Sequence, residues 1–252
     1  MILLPILTGL LVGALISLTG MGGGAIMTPF LILVMKINPV LAIGTDLVFA
    51  AITKWASGLE HRRQENVNLH MVAWLALGSL PASFLASSFV LSQHANAGDF
   101  LARLLPKILG AILVLVSLYT LARVFNWVKV NEDLNQPPNW ALVLVGALGG
   151  ILVGLTSIGS GTVMMASLLI FFSMPPAQLV GLDVMHGALL ASVPAAVYTF
   201  SGEVNWLLAG LLLVGSIPGA WLGTKLVARV PQRLVRGTLS AFLLFAGLRM
   251  FL

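Results

Sequence analysis

The stretch Gly20-Met21-Gly22-Gly23-Gly24 interrupts an apolar run near the start of the chain, and it has a counterpart 137 residues later in Ser157-Ile158-Gly159-Ser160-Gly161. The recurrence continues without a gap on both sides of this stretch. Matching pairs are Gly9 and Gly146, Gly13 and Gly150, Thr19 and Thr156, Pro39 and Pro176, Gly44 and Gly181, Asp46 and Asp183, Asn68 and Asn205, and Pro81 and Pro218. Glycine, proline and aspartate carry backbone and charge constraints, so their recurrence indicates a duplicated unit with a Gly-rich break in each copy.

The composition is that of a membrane protein. Hydrophobic residues form 59% of the 252 residues and charged residues only 8%, against roughly 25% charge in a soluble domain. This leaves no room for a soluble catalytic domain, and we expect no enzymatic activity. The net charge of +5 is explained by loop arginines and lysines that orient helices, so no nucleic-acid partner is expected. The absence of cysteine excludes disulfides and Cys-ligated metal; we predict no metal site and no cofactor.

Each copy divides into five apolar segments, bounded by Gly, Pro and charged residues. They are 2–19, 24–36, 40–59, 69–91 and 104–124 in the first copy, and 140–157, 162–173, 177–200, 204–227 and 233–251 in the second. The second segment of a copy rises only about 20 Å, against a hydrocarbon core of about 30 Å. It therefore either folds back as a re-entrant hairpin with the first segment or crosses separately where the bilayer is thinned. The polar insertion 93–99, present only in the first copy, is predicted to be an extracytoplasmic loop.

Equivalent loops carry opposed charges. The loop after the third segment holds His61, Arg62 and Arg63 in the first copy, whereas Ser201-Gly202-Glu203 in the second has no Lys or Arg. In the next loop the second copy is the more basic, with four cations in Lys225–Arg236. The positive-inside rule produces such a swap when two copies face opposite ways.

The predicted fold is an all-α polytopic membrane protein of two inverted repeats, each with a Gly-rich broken or re-entrant helix pair and three transmembrane helices. Residues 1–127 form the first repeat, 128–139 a cytoplasmic linker, and 140–252 the second repeat, within one integral membrane domain. Both termini are then extracytoplasmic.

The two Gly-rich breaks are candidate anion-binding sites. Glycine unwinds a helix and frees backbone N–H groups, and the positive dipole end of the next short helix lies there. Neighbouring hydroxyls can add donors. The predicted substrate-binding residues are Thr19, Gly22, Gly23, Gly24, Thr156, Ser157, Gly159, Ser160 and Gly161. Tight packing of helices through small residues is the alternative explanation of the same pattern.

An aspartate lies inside the third segment of each copy. Intramembrane acids usually face a cavity or a partner, so Asp46 and Asp183 are candidates for coupling or gating, with His186 as a proton partner of Asp183 at i+3. A carboxylate stabilised near a helix start by the dipole is the other interpretation. Lys54 is expected to extend towards the cytoplasmic interface, and His61 is expected to be solvated.

The motif set resembles the TauE/SafE family of sulfite and organosulfonate exporters. The resemblance rests on Gly20 to Pro29, Ala42-Ile43-Gly44-Thr45-Asp46-Leu47 and Gly78-Ser79-Leu80-Pro81, with the set repeated in the second half. The second copy departs at two positions, where Ser160 replaces a usual glycine and Ala166 a usual proline. The resemblance implies a secondary transporter of the bacterial inner membrane that carries small anions, with sulfite and sulfoacetate as the associated substrates.

The resulting functional hypothesis is alternating access at a site between the two Gly-rich breaks, with proton coupling as an option. An anion channel that uses the same half-helix ends as a filter is the alternative. The expected partners are the small anionic substrate and the lipid bilayer. The oligomeric state is left open, a homodimer being one option.

Overall fold

The part of the chain that the structure describes is helical. The structure, a computed structural model, describes residues 3–19, 23–125, 138–158, 161, 164, 176–226 and 229–251. The helices are α1 (Leu3–Thr19), α2 (Gly24–Pro29) with a π-helix directly after it (Phe30–Val34), α3 (Pro39–Arg63), α4 (Leu69–Val124), α5 (Asn139–Thr156), α6 (Pro176–Phe200), α7 (Trp206–Leu226) and α8 (Gln232–Arg249). No strand occurs among these residues, which confirms the all-α class for them.

Among the described residues, six helical stretches are long and apolar enough to cross a membrane. They are Pro39–Arg63, Leu69–His94, Arg103–Ala122, Asn139–Thr156, Ala177–Phe200 and Trp206–Leu226, and the shorter apolar helices Leu3–Thr19 and Gly24–Val34 accompany them. Large apolar side chains cover the outside of the bundle; Phe200 is 90% and Leu207 is 78% exposed. Such surfaces are stable in lipid and not in water. The chain is therefore a multi-pass membrane protein, as predicted.

The short second segment of the first copy forms as predicted, and the sequence explains its limits. Gly23 precedes α2 without a side-chain cap, and its carbonyl accepts the N–H groups of Ile26 and Met27. Pro29 lacks an N–H group, and the π-helix begins directly after it, in keeping with the disturbance that proline causes in a helical ladder. The corresponding segment of the second copy, predicted at 162–173, lies outside the described residues.

The prediction of an extracytoplasmic loop at 93–99 is wrong, because the backbone is helical from Leu69 to Val124. The polar stretch between the two apolar halves of α4 contains alanines and no proline, so nothing in it forces the helix to end. The two halves of α4 have different neighbours. Gly78 in the first half packs against Val143 of α5, and Gly110 in the second half packs against Gly247 of α8.

The first helix of each copy packs against the fourth segment of the other copy. A Cβ added at Gly9 on α1 would lie 2.1 Å from the carbonyl oxygen of Leu212 on α7. The equivalent pair, Gly146 on α5 and Leu75 on α4, would clash at 2.2 Å. The next glycines repeat the correspondence, with Gly13 against Ser216 at 2.3 Å and Gly150 against Ser79 at 2.4 Å. Both helix pairs run parallel, and only glycine permits backbones to approach so closely.

Helices α3 and α6, the third segments of the two copies, form the centre of the bundle. In α3, 78% of the apolar span is buried, and in α6 72% is buried, whereas only 39% is buried in Leu69–His94. They run antiparallel, because Gly58 lies beside Met185 while Gly44 lies beside Tyr198. The indole Nε1 of Trp55 donates to Ser192 Oγ at 3.0 Å. These two residues are themselves equivalent, 137 positions apart, so this contact lies where the two copies meet.

Candidate functional site

Asp46 lies at the point where both copies contribute polar groups to the interior. Its side chain is fully buried in α3. The carboxylate Oδ2 accepts hydrogen bonds from Thr28 Oγ1 on α2 and from Ser157 Oγ, 2.8 Å away, just after α5. Its other oxygen, Oδ1, has no hydrogen-bond partner among the described residues. Asp46 therefore links the half-helix of one copy to the helix break of the other.

Ser157 ends α5 in a left-handed conformation, with φ 62° and ψ −13°, while its N–H still donates to the Val153 carbonyl at 2.8 Å. Such a residue terminates a helix, and here it turns the hydroxyl towards Asp46. A Cβ added at Gly24 would lie 2.3 Å from the Ser157 carbonyl oxygen. The two predicted breaks thus touch, and the contact requires glycine at position 24.

Of the remaining predicted binding residues, four lie within the described ranges and three do not. Thr19 and Thr156, which are equivalent, each donate to a carbonyl of their own helix, to Leu15 at 2.7 Å and Leu152 at 2.6 Å. These bonds satisfy carbonyls in the last turns of α1 and α5. Gly23 packs against Ile16 and Phe49. Gly161 is buried, whereas Gly22, Gly159 and Ser160 lie outside the described residues.

Lys54 is buried on α3, and the prediction that it extends to the interface is wrong. Its Nζ lies 3.9 Å from Asp183 Oδ2, and both side chains are 0% exposed. A carboxylate across the central helix pair compensates the ammonium inside the bundle, which removes the need to reach water. The sequence offered no signal for this contact, because it joins α3 to α6.

The two aspartates occupy equivalent positions and yet have different partners. Asp46 accepts two hydroxyl groups, whereas Asp183 faces an ammonium group. The sequence accounts for the difference, since none of these partner residues has a chemical equivalent in the other copy. Met165 stands at the equivalent of Thr28, Gly20 at that of Ser157, and Ala191 at that of Lys54.

Two histidines are buried near the central helices. His186 Nε2 lies 2.9 Å from Ser79 Oγ, which joins α6 to α4. His61 is 0% exposed, and its Nε2 lies 3.3 Å from the Ser17 carbonyl oxygen. The expectation that His61 is solvated is therefore wrong. It sits in the last turn of α3, packed against α1.

A row of small polar side chains follows one face of α3. Ser57 Oγ accepts from Ser17 Oγ at 2.7 Å and lies 3.4 Å from Thr224 Oγ1, while Thr53 Oγ1 lies 2.7 Å from Ser216 Oγ. All five of these residues are at most 1% exposed. The sequence carries a signal for this row in the spacing of Thr53, Ser57 and His61, four residues apart on one helical face.

Two carboxylates and one ammonium are enclosed in the apolar interior formed by the described residues, and Asp46 lies where the two helix breaks meet. No group of three or more His, Cys, Asp or Glu side chains with metal-binding geometry occurs in the described ranges. Buried charges of this kind in a membrane protein mark solute or ion pathways.

The chain is similar to proteins that are named as membrane transporters. The profile of the family described as "Sulfite exporter TauE/SafE" matches residues 5–250. The "Probable membrane transporter protein YjnA" of Bacillus subtilis is 37% identical over 255 residues. The match covers 97% of this chain and 98% of the length of YjnA. A similar protein, YunE, from the same organism is 27% identical, with 93% and 90% covered. MJ0441 of Methanocaldococcus jannaschii is 26% identical, with 100% and 97% covered. No solved structure matches.

Proposed function

Because the chain belongs to the TauE/SafE sulfite exporter family, we propose that it is a secondary transporter of small anions, with sulfite and organosulfonates such as sulfoacetate as the favoured substrates. The family and the relatives' names place it among membrane transporters. The observation that carries the finer proposal is the contact between the two helix breaks, where Gly24 meets Ser157 beside Asp46. Discontinuous helices that meet inside a bundle are the usual substrate sites of transporters.

The anion is held, in this proposal, at the junction of the two breaks and Lys54. The start of the helical run Gly24–Val34 supplies backbone N–H groups, and Lys54 supplies the positive charge. Gly22, Gly159, Ser160 and Gly161 are proposed to complete the site with backbone and hydroxyl donors. One ammonium and neutral donors bind an oxyanion without trapping it, as a transporter requires.

The charge count of the site favours proton coupling. With Asp46 and Asp183 both ionised, the two carboxylates and Lys54 sum to −1, which repels an incoming anion. A proton on Asp46 makes the group neutral while Asp183 keeps its contact with Lys54. We therefore assign coupling to Asp46 and a positioning role to Asp183. His186, held by Ser79, is proposed as a further proton partner.

We further propose that the two copies are inverted repeats that alternate access by moving against each other. The support comes from helix directions. Helix α1 runs parallel to α7, and α5 runs parallel to the first half of α4. Thr53 with Ser216 and Ser57 with Thr224 align α3 with α7, whereas α3 and α6 are antiparallel. The equivalent helices α3 and α6 thus point in opposite directions, which supports the arrangement found in inverted-topology transporters.

Counterflow in proteoliposomes tests the proposed function. Vesicles loaded with sulfite should accumulate labelled sulfite faster than empty ones, since exchange across the membrane is a property of carriers and not of channels. Gly24→Ala should abolish the exchange, because the added Cβ would lie 2.3 Å from the Ser157 carbonyl oxygen. Gly210→Ala is the matched control, as its Cβ meets nothing within 4 Å.

Equal rates in loaded and empty vesicles would favour the channel instead. A thermal-shift screen of the purified protein against sulfite, sulfate, sulfoacetate and taurine identifies the substrate, because a ligand that binds the native state raises its apparent stability. Stabilisation by cations or neutral solutes alone would refute the anion assignment.

A further inference from the structure

A polar pocket opens at one end of the bundle, separate from the junction of the two breaks. It has a volume of about 480 Å³ and lies where α3 and α7 end and α6 begins. Its polar lining consists of Gln64, Asn66, Thr224, Lys225 and Arg229. Among the described residues that line it, two are cationic and none is acidic. Glu65 lines a neighbouring cavity that shares Asn66.

A side-chain contact links the pocket to the part of α3 that carries Lys54. Thr224, which lines it and is 1% exposed, is 3.4 Å from Ser57 on α3. Ser57 is one turn away from Lys54. On α6, Asp183 lies six positions after Ala177, which lines the pocket, a rise of about 9 Å. The row of hydroxyl groups on α3 therefore runs from the lining of the pocket to the turn of α3 that carries Lys54.

The cations of the pocket are presented at its surface. Lys225 and Arg229 are both exposed, and Lys225 Nζ lies 5.7 Å from the centre of the Trp221 ring. A cation over an aromatic face is restrained in position at little energetic cost. The swap of loop charges predicts that this end of the bundle is cytoplasmic. A concave surface with one sign of charge concentrates ions of the opposite sign.

We propose that this pocket, the Lys225/Arg229 vestibule, is a binding site for hydrated oxyanions that captures the transported anion before it passes to Lys54. The proposal rests on the function proposed above. The chemistry of the pocket suits a sulfur oxyanion in solution and equally the phosphate of an anionic lipid headgroup. The contact of its lining residue Thr224 with Ser57, one turn from Lys54 on α3, favours the soluble anion.

Transport kinetics measured from each face of oriented proteoliposomes test the vestibule. The double variant Lys225→Gln/Arg229→Gln should raise the KM for sulfite about 3- to 10-fold at the predicted cytoplasmic face, with kcat unchanged, because it removes binding that is common to ground and transition states. The KM at the opposite face should not change. Arg62→Gln/Arg63→Gln is the matched control, since it removes two exposed cations from the same end without touching the pocket lining. An equal rise in KM in the control would overturn the proposal.

A second measurement keeps the vestibule testable if sulfite is not carried. Tryptophan fluorescence of the purified protein in neutral lipid should change when sulfite or sulfate is added. The change should be lost in Trp221→Phe, which removes the ring beside Lys225, and in the double Gln variant. No change with either anion, or a change only with phosphatidylglycerol, would overturn the proposal. If sulfite changes the fluorescence but is not transported, the proposed substrate is refuted and the vestibule is not.

Discussion

The buried contact between Lys54 and Asp183 yields a quantitative prediction. Nζ and Oδ2 are 3.9 Å apart with both side chains fully buried. At an effective dielectric constant of about 20, two unit charges at this distance attract by about 4 kcal/mol. Removing one partner takes this compensation away from the other buried charge, which costs about 3–5 kcal/mol. Lys54→Met and Asp183→Asn should therefore each lower the free energy of unfolding by that amount, and the double variant should lose little more than either.

The assay is unfolding of the four proteins of this double-mutant cycle in mixed micelles, followed by circular dichroism as denaturing detergent is added. The matched control is the contact of Arg63 with Glu60, which has a similar N–O distance of 3.7 Å but a 76% exposed arginine. Its coupling energy should stay below about 1 kcal/mol, as is typical of surface pairs. If Lys54→Met lowers the free energy of unfolding as much in the Asp183→Asn background as in the native protein, the two charges do not stabilise each other.

Three further predictions concern Asp46, the break and the topology. Ser157→Ala removes one of two donors to Asp46 and should lower stability by about 1.5–3 kcal/mol in the same unfolding assay; Ser201→Ala, an exposed hydroxyl that bonds within its own helix, should have almost no effect. Asp46→Asn should abolish sulfite accumulation driven by a pH gradient while sulfite exchange persists, and retained gradient-driven accumulation would remove Asp46 from the coupling. Because the chain has no cysteine, Arg62→Cys and Ser201→Cys can be labelled singly with impermeant maleimide in cells, and labelling from the same side would contradict the inverted repeats.

Helix positions were predictable because glycine, proline and charge mark the helix ends. Proline and charged residues bound the third segment of the first copy, and α3 begins at Pro39, where the Asn38 side chain accepts the N–H of Val40 at 2.9 Å. The predicted end at residue 59 falls short of Arg63, because the polar residues after Leu59 continue the helix into the interface. The predicted loop at 93–99 is wrong for the same reason, because this polar stretch is also helical.

The candidate site was predictable only in part. The recurrence of Asp46 and Asp183 predicts that both acids are functional. The recurring Gly-rich breaks predict that Gly24 and Ser157 are binding residues. The sequence could not predict that Lys54 faces Asp183, since the contact depends on how two distant helices cross. It also could not separate the roles of Thr19 and Ser157, because a hydroxyl at a helix end bonds either its own backbone or a neighbour. Thr19 does the first and Ser157 the second.

The reciprocal glycine contacts of α1 with α7 and of α5 with α4 bear on how the protein is made. The glycine face of α1 is covered by α7, which follows about 200 residues later in the chain and is synthesised after α1 has entered the membrane. Contacts between residues so far apart in sequence form late in folding. Neither copy contains the partner of its own first helix. The two halves, expressed as separate polypeptides, should therefore reassemble only with each other. A single-copy precursor could have covered the same faces only by pairing with another molecule of its own kind.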